Sequence, residues 1–394
     1  MFGRPTSDRA RAWPRRGAAG ASAAIVALAV AACQVPRPEP PAIAPARGDL
    51  LHEARGWRER AGLAAARNHL AGRLAALDAS GGELERRVAR TNREPGWVFP
   101  DSWAALPRGQ RARTGVYLVL GFRQNTGEAA EVLNHVAAGM RADGWRARVV
   151  PLNQWGSARD HAQSIERFLR GELPRVDRAV MVGFSMGAAS WVRWMADHSA
   201  GWPAGERRKL RVAVFFGASL RGAAAARWLA AAKGIEAGLM RAQLSRLDGG
   251  RGEALAAVGH AAGDLWAGER IPPLCTMLPG LQVVEYVTLP DGDDGLPRRD
   301  RLLRGLARPV ARQMPWIGPC DGMVEAGAQV LPPGDRTPQW IVRVCASHGI
   351  TEGFYLAGGG DVSPRHGRVA GQRPQAGRDM VDDLLRALPR SLLE

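Results

Sequence analysis

Residues 178–198 read RAVMVGFSMGAASWVRWMADH, and this stretch decides the fold. RAVMVGF is a short apolar run of the length and composition of a buried strand, whereas from Met186 onward the apolar side chains return at helical spacing. Gly183-Phe184-Ser185-Met186-Gly187 therefore falls on a strand-to-helix turn. Such a turn holds a serine in a constrained backbone with its hydroxyl exposed, and the helix that follows directs unpaired N–H groups and its positive dipole end at the same spot. Glycines two residues to either side let strand and helix approach closely. Trp191 and Trp194, three apart on the helix, are expected in the core beneath the sheet.

Outward from this turn the same alternation repeats. VYLVLGF (116–122), ARVVPL (147–152), LRVAVFFG (210–217), LQVVEYVTL (281–289) and QWIVRVCA (339–346) read as strands, with helices near 127–142, 158–170 and 377–388. Strands separated by helices at this spacing predict an α/β fold with a mainly parallel sheet and flanking crossover helices. The Ala-rich interval 222–272 has little strand character and reads as a helical insertion above the sheet. Before the sheet, Leu63, Leu70, Leu74 and Leu77, then Leu84 and Val88, recur at helical spacing around a break at Ser80-Gly81-Gly82, which predicts a helical arm over 50–95. The main body spans 96–394.

The first residues read as an address. Arg4, Arg9, Arg11, Arg15 and Arg16 precede an uncharged run from Ala18 to Ala32, too short to span a bilayer as a mature helix. Residues 1–32 are thus expected to be an export signal. The run ends Val30-Ala31-Ala32-Cys33, which resembles the bacterial lipobox, and the resemblance implies that Cys33 is acylated. Gln34 at the next position implies the outer membrane of the cell envelope. Residues 33–49 follow as a proline-rich, extended tether, with five prolines between 34 and 48.

Composition sets the outer limits. Of 394 residues 46% are hydrophobic, and 48 Gly, 27 Pro and 23% charged residues exclude a disordered, collagen-like or disulfide-dense chain. The net charge of +16 comes from arginine, since Lys209 and Lys233 are the two lysines, and the arginines are interspersed with acids rather than gathered in blocks. No zinc-ligand spacing, aromatic-interleaved basic motif or glycine-rich phosphate loop stands in the sequence, so no metal, nucleic acid or nucleotide cofactor is expected.

A serine hydroxyl attacks poorly until a base within hydrogen-bond reach takes its proton, so a histidine is needed at a later strand end. His348 follows the QWIVRVCA strand, whereas His366 lies in an Arg-rich stretch and the other histidines sit on predicted helices. At this point the chain, over roughly 96–394, resembles the α/β-hydrolase family and in particular its serine esterases and lipases. The family order of serine, acid, histidine is available, the insertion falls where the family carries its cap, and Gly217-Ala218-Ser219-Leu220-Arg221-Gly222 is similar to a lipase segment.

The resemblance implies a nucleophile at Ser185, a base at His348, and oxyanion donors at the Met186 and Phe122 amides, although Leu120-Gly121 replaces the family's His-Gly pair. Two acids compete. Asp321 stands in Cys320-Asp321-Gly322-Met323-Val324, similar to the family's D-G-x-V loop, and Asp291 directly follows a strand. A triad that unites acid and base also brings Cys320 toward Cys345, so a disulfide between them, a Cys275–Cys320 pair, and buried thiols are all open. The implied activity is hydrolysis of an acyl ester or lipid; a thioesterase, amidase or acyltransferase on the same residues, or a catalytically silent lipoprotein that binds lipid or cell wall, are the alternatives.

Overall fold

Six apolar runs pair side by side into one sheet, in the order β2-β1-β3-β4-β5-β6 with every neighbouring pair parallel. The strands are β1 (Thr114–Val119), β2 (Arg146–Val149), β3 (Arg178–Phe184), β4 (Leu210–Phe216), β5 (Gln282–Thr288) and β6 (Gln339–Val344). The computed structural model describes residues 48–94, 97–122, 125, 127–266, 271–289, 310, 312–344, 348 and 386–394. The signal segment, Cys33 and nearly all of the tether lie outside them, as does all but the last part of the helix expected over 377–388. Among the described residues no helix is long and apolar enough to cross a membrane.

The strands are nearly continuous in apolar residues because both faces of the sheet are covered. Val116, Leu118, Val180, Val182, Val212 and Val214 pack on one face with Leu133, Val136 and Met140 of α3 (Gly127–Ala142). Tyr117, Val119, Ala179, Met181, Ala213 and Phe215 pack on the other with α4 (Ala158–Glu172) and α5 (Met186–His198). Trp191 and Trp194 of α5 are fully buried there. The architecture is thus the mainly parallel α/β-hydrolase arrangement of sheet and flanking helices expected from the sequence.

Strand ends differ from the expected ones. β1 and β2 stop at Val119 and Val149, so Gly121, Phe122 and Leu152 belong to the loops that follow. The arm is α1 (Leu50–Leu77), which breaks at Gly62 where φ is 84°, and α2 (Glu83–Arg93). It closes the outer strand: Asp78 Oδ1 accepts the Ile341 N–H at 2.9 Å, and the Ala79 N–H donates to the Gln339 carbonyl at 2.7 Å. An edge that would otherwise offer free ladder groups is thereby occupied. Over 222–272 the chain forms α6 (Ala224–Ala231), α7 (Ile235–Leu247) and α8 (Glu253–Ala261).

Candidate active site

The site is built on the turn between β3 and α5. Ser185 has φ 52° and ψ −121°, and it is the one non-glycine residue with positive φ among those described. A backbone so placed costs on the order of 1–3 kcal/mol and persists only where its surroundings over-determine it. They do so here. The Ser185 N–H donates to the Phe216 carbonyl at 2.9 Å, the Ser185 carbonyl accepts the Ser219 N–H at 3.2 Å, and the Gly187 N–H reaches back to the Leu120 carbonyl at 2.9 Å.

The flanking glycines are a steric requirement. A Cβ at Gly187 would fall 2.1 Å from the Val119 carbonyl oxygen, and one at Gly183 would fall 2.6 Å from Ala188 Cα. Because both obstacles are backbone, Gly187→Ala is expected to destabilise the protein by about 3 kcal/mol and to displace Ser185, which thermal unfolding and titration of active sites would both register. A melting temperature equal to the parent's would show that the turn can yield.

Three side chains from distant parts of the chain meet above this turn. His348 Nε2 lies 2.8 Å from Ser185 Oγ, and His348 Nδ1 lies 2.8 Å from Asp321 Oδ2. Asp321 is fully buried, and each of its oxygens is occupied. Oδ1 accepts the N–H groups of Met323 and Val324 at 2.9 and 2.8 Å. Oδ2 accepts the Thr288 hydroxyl at 2.5 Å and the Gln329 side-chain amide at 3.3 Å, besides facing the imidazole. Gln329 in turn is held at the end of β5, where its Oε1 accepts the Thr288 N–H at 2.8 Å and its Nε2 donates to the Thr288 hydroxyl oxygen at 2.6 Å. A carboxyl group hydrogen-bonded on both sides in this way is fixed in direction, so it sets the direction of the ring that bonds to it.

Sequence reasoning did not single out Thr288 or Gln329. A threonine at the last position of an apolar strand was the available signal for the first; for Gln329 there was none. Asp291, the competing acid, lies outside the described residues.

Met186 is the first residue of α5, so its N–H has no partner within the helix. The Gly121 backbone passes directly beside it, where a Cβ would stand 3.0 Å from Gly187 N and 3.2 Å from Met186 Cβ. Phe122 follows, its ring edge-on to Trp155 at 5.4 Å, and both rings pack with Ala254 and Ala257 of α8. The insertion thus packs on the loop that carries Phe122.

Of the alternatives open for Cys320, a bridge to Cys345, a bridge to Cys275 or a buried thiol, the structure shows the buried thiol. Cys320 is a free, buried thiol, Cys275 is also free, and Cys345 lies outside the described residues. The Cys320 side chain is committed to an apolar cluster with Ala224, Trp228, Met314 and Ile317. Burial, and then the neighbouring charges of Asp321 and Glu325, push its thiol well above the usual range, so it stays protonated and acts as packing. What closes the acid loop is backbone: Cys320 and Glu325 form an antiparallel bridge around it, with the Asp321 N–H donating to the Val324 carbonyl at 3.1 Å.

Glu325 sits at the base of that loop, fully buried. It takes a two-pronged bond from Arg55 of α1 at 2.9 and 2.6 Å, one from Arg227 of α6 at 2.7 Å and the Gly318 N–H at 2.8 Å. Burial by itself would raise its pKa; the charge and hydrogen bonds of Arg55, then Arg227 and Gly318, outweigh burial and hold it at about 2. Arm, insertion and acid loop therefore converge on one carboxylate. Among the described residues no group of His, Cys, Asp and Glu is arranged to hold a metal ion.

No family model and no curated protein matches the chain. Solved structures similar to it include a metagenomic carboxyl esterase, at 14% identity and TM-score 0.45 over 70% of this chain and 75% of that one. A lipase from Bacillus licheniformis, in its mature form, is similar at 13% identity and TM-score 0.41 over 60% of this chain and 85% of that one. Phospholipase PlaB from Legionella pneumophila is similar at 12% identity and TM-score 0.34 over 55% of this chain and 45% of that one. These are distant likenesses in fold, and what the site does rests on its own geometry.

Proposed function

We propose that the protein is a serine hydrolase of carboxylic esters that works through an acyl-enzyme. The observation that carries this reading is the unbroken hydrogen-bond chain Ser185–His348–Asp321 above a strained strand-to-helix turn. Ser185 Oγ attacks the acyl carbon while His348 Nε2 takes the hydroxyl proton. Asp321 holds the Nδ1–H tautomer and stabilises the imidazolium that forms. The Met186 and Phe122 amides receive the oxyanion of the tetrahedral intermediate. His348 then passes the proton to the departing alkoxide, and a water molecule repeats the sequence on the acyl-enzyme to release the acid and restore Ser185. We further propose that the chain is held at an envelope membrane by an acyl group on Cys33, on the strength of the Arg-rich, apolar, Val-Ala-Ala-Cys order alone.

Labelling of the purified protein by a fluorophosphonate, followed by a panel of p-nitrophenyl esters of graded chain length, tests the reading. Labelling at Ser185 with ester turnover supports it; an unlabelled Ser185 overturns it. Thioester and amide substrates run beside the panel show whether the leaving group is an alcohol.

The acid has its own test. In Asp321→Asn the amide oxygen stays with the Met323 and Val324 N–H groups, so the NH₂ group must face the ring and the wrong tautomer is favoured. Turnover is expected to fall by about 10⁴-fold, while Asp291→Asn leaves it near the parent value. The reverse ranking would move the role to Asp291.

A further inference from the structure

The sequence scatters its arginines, and the sheet gathers them. All strands of a parallel sheet begin at the same end, and here Gly115 pairs with Arg146, Thr114 with Arg178 and Ala179 with Leu210. The residues around the starts of β2, β1, β3 and β4 therefore line up along one end of the molecule, opposite the end where Ser185 follows β3. Part of the charge there is paired. Arg113 meets Asp177, Arg146 and Arg148 meet Glu172, and Lys209 meets Glu206.

The rest is not. Arg108, Arg141, Arg178, Arg207, Arg208 and Arg211 have no carboxylate partner among the described residues, and Asp143, after α3, is a further acid on this end. Arg108, Arg141, Arg146 and Arg148 also line an open groove of about 600 Å³ beside Trp145.

We propose that this end of the molecule is a docking face for an anionic phospholipid bilayer. The guanidinium groups are spread over four strand starts, a width of roughly 15 Å, and do not converge on a point as they would around one small anion. They match a flat field of phosphates whose headgroups can shift to meet them. Near this end Trp145 and Trp202 are buried, and the half-buried Phe168 ring already carries the Arg148 guanidinium at 5.5 Å, so no open row of rings on which bases could stack accompanies the charge.

Docking by this face has a consequence for the substrate. Ser185 stands one strand length away, roughly 20 Å, and opens to the side facing away from the bilayer. The ester then arrives from the aqueous side. This consequence rests on the serine hydrolase reading; the docking does not, and it is measured without any turnover.

The test is co-sedimentation of the full chain, carrying Cys33→Ser so that no acyl group contributes, with vesicles of phosphatidylcholine alone or with about 30% phosphatidylglycerol. Binding is expected to the anionic vesicles only, and to be lost between about 0.05 and 0.5 M salt. Arg108→Gln, Arg141→Gln and Arg208→Gln together change exposed side chains, so the melting temperature should hold while partitioning falls at least about tenfold. Equal binding to neutral vesicles, or a triple variant that binds like its parent, would overturn the proposal. So would loss of binding in Ile235→Ser with Leu239→Ser, which would move the contact to the exposed apolar residues of α7, or a preference for a DNA duplex over the vesicles. Docked protein that hydrolyses the acyl esters of its own vesicle would overturn the orientation.

Discussion

Ser185→Ala is expected to abolish fluorophosphonate labelling and to lower ester turnover by at least about 10⁴-fold, with thermal unfolding unchanged. The size follows from the site acting as a unit: without the hydroxyl, His348 has no proton to take and Asp321 orients a base that serves nothing. Stability should hold because Ser185 makes one side-chain bond, to His348 Nε2, and its backbone is pinned by Phe216 and Ser219 whatever side chain it carries. Ser185→Gly gives the complementary result. A glycine accepts φ 52° without the Cβ penalty, so this variant should be equally inactive yet more stable than the parent by about 1 kcal/mol. An alanine variant that keeps wild-type turnover would remove Ser185 from the mechanism. A glycine variant less stable than the alanine one would show that the turn is not strained.

The strand, turn and helix around Ser185 were legible because three independent signals coincide on a few residues: an apolar run, glycines at fixed offsets and a change of period. His348 was legible by elimination, since it alone follows a strand. The acid was not settled by residues alone, because Asp321 and Asp291 both stand in Gly-rich loops and chain order permits either. Whether Cys320 beside Asp321 is a disulfide partner or a buried thiol was open for a related reason, and the structure shows the thiol. Adjacent residues of a tight loop can point to different places, and the Cys320 side chain enters the apolar cluster under the insertion while Asp321 faces the ring. Gln329 and Glu325 carry no local signature, and Thr288 only that of a strand end; the roles of Thr288, Gln329 and Glu325 come from partners 33, 8 and 270 positions away. The gathering of arginines at the strand starts is hidden in the same way, because it arises from strand order.

Glu325 offers the sharpest test of how the fold supports the site. In Glu325→Gln the arm's Arg55 and the insertion's Arg227 keep their burial and lose their counter-ion, which is expected to destabilise the protein by about 3–5 kcal/mol. The pH dependence separates this from ordinary packing loss. With the native pKa at about 2 against an ordinary 4.5, the ionised carboxylate binds fewer protons folded than unfolded at acid pH. Its contribution is therefore complete above about pH 4.5 and is lost as pH falls toward 2, about 3 kcal/mol in all. Denaturant unfolding of wild type and variant between neutral pH and the acid limit should show a gap that closes on acidification. A gap that stays constant would mean that Glu325 is not held ionised by the two arginines. The active site provides the second readout, because Glu325 and Cys320 bridge the base of the Asp321 loop. At neutral pH, under conditions where the variant is still folded, kcat should fall while KM for a small soluble ester changes little, since the loop aims the base and does not touch the substrate. A variant with native kcat would confine Glu325 to holding the arm, and the convergence of α1, α6 and the acid loop on one carboxylate would then be structural alone.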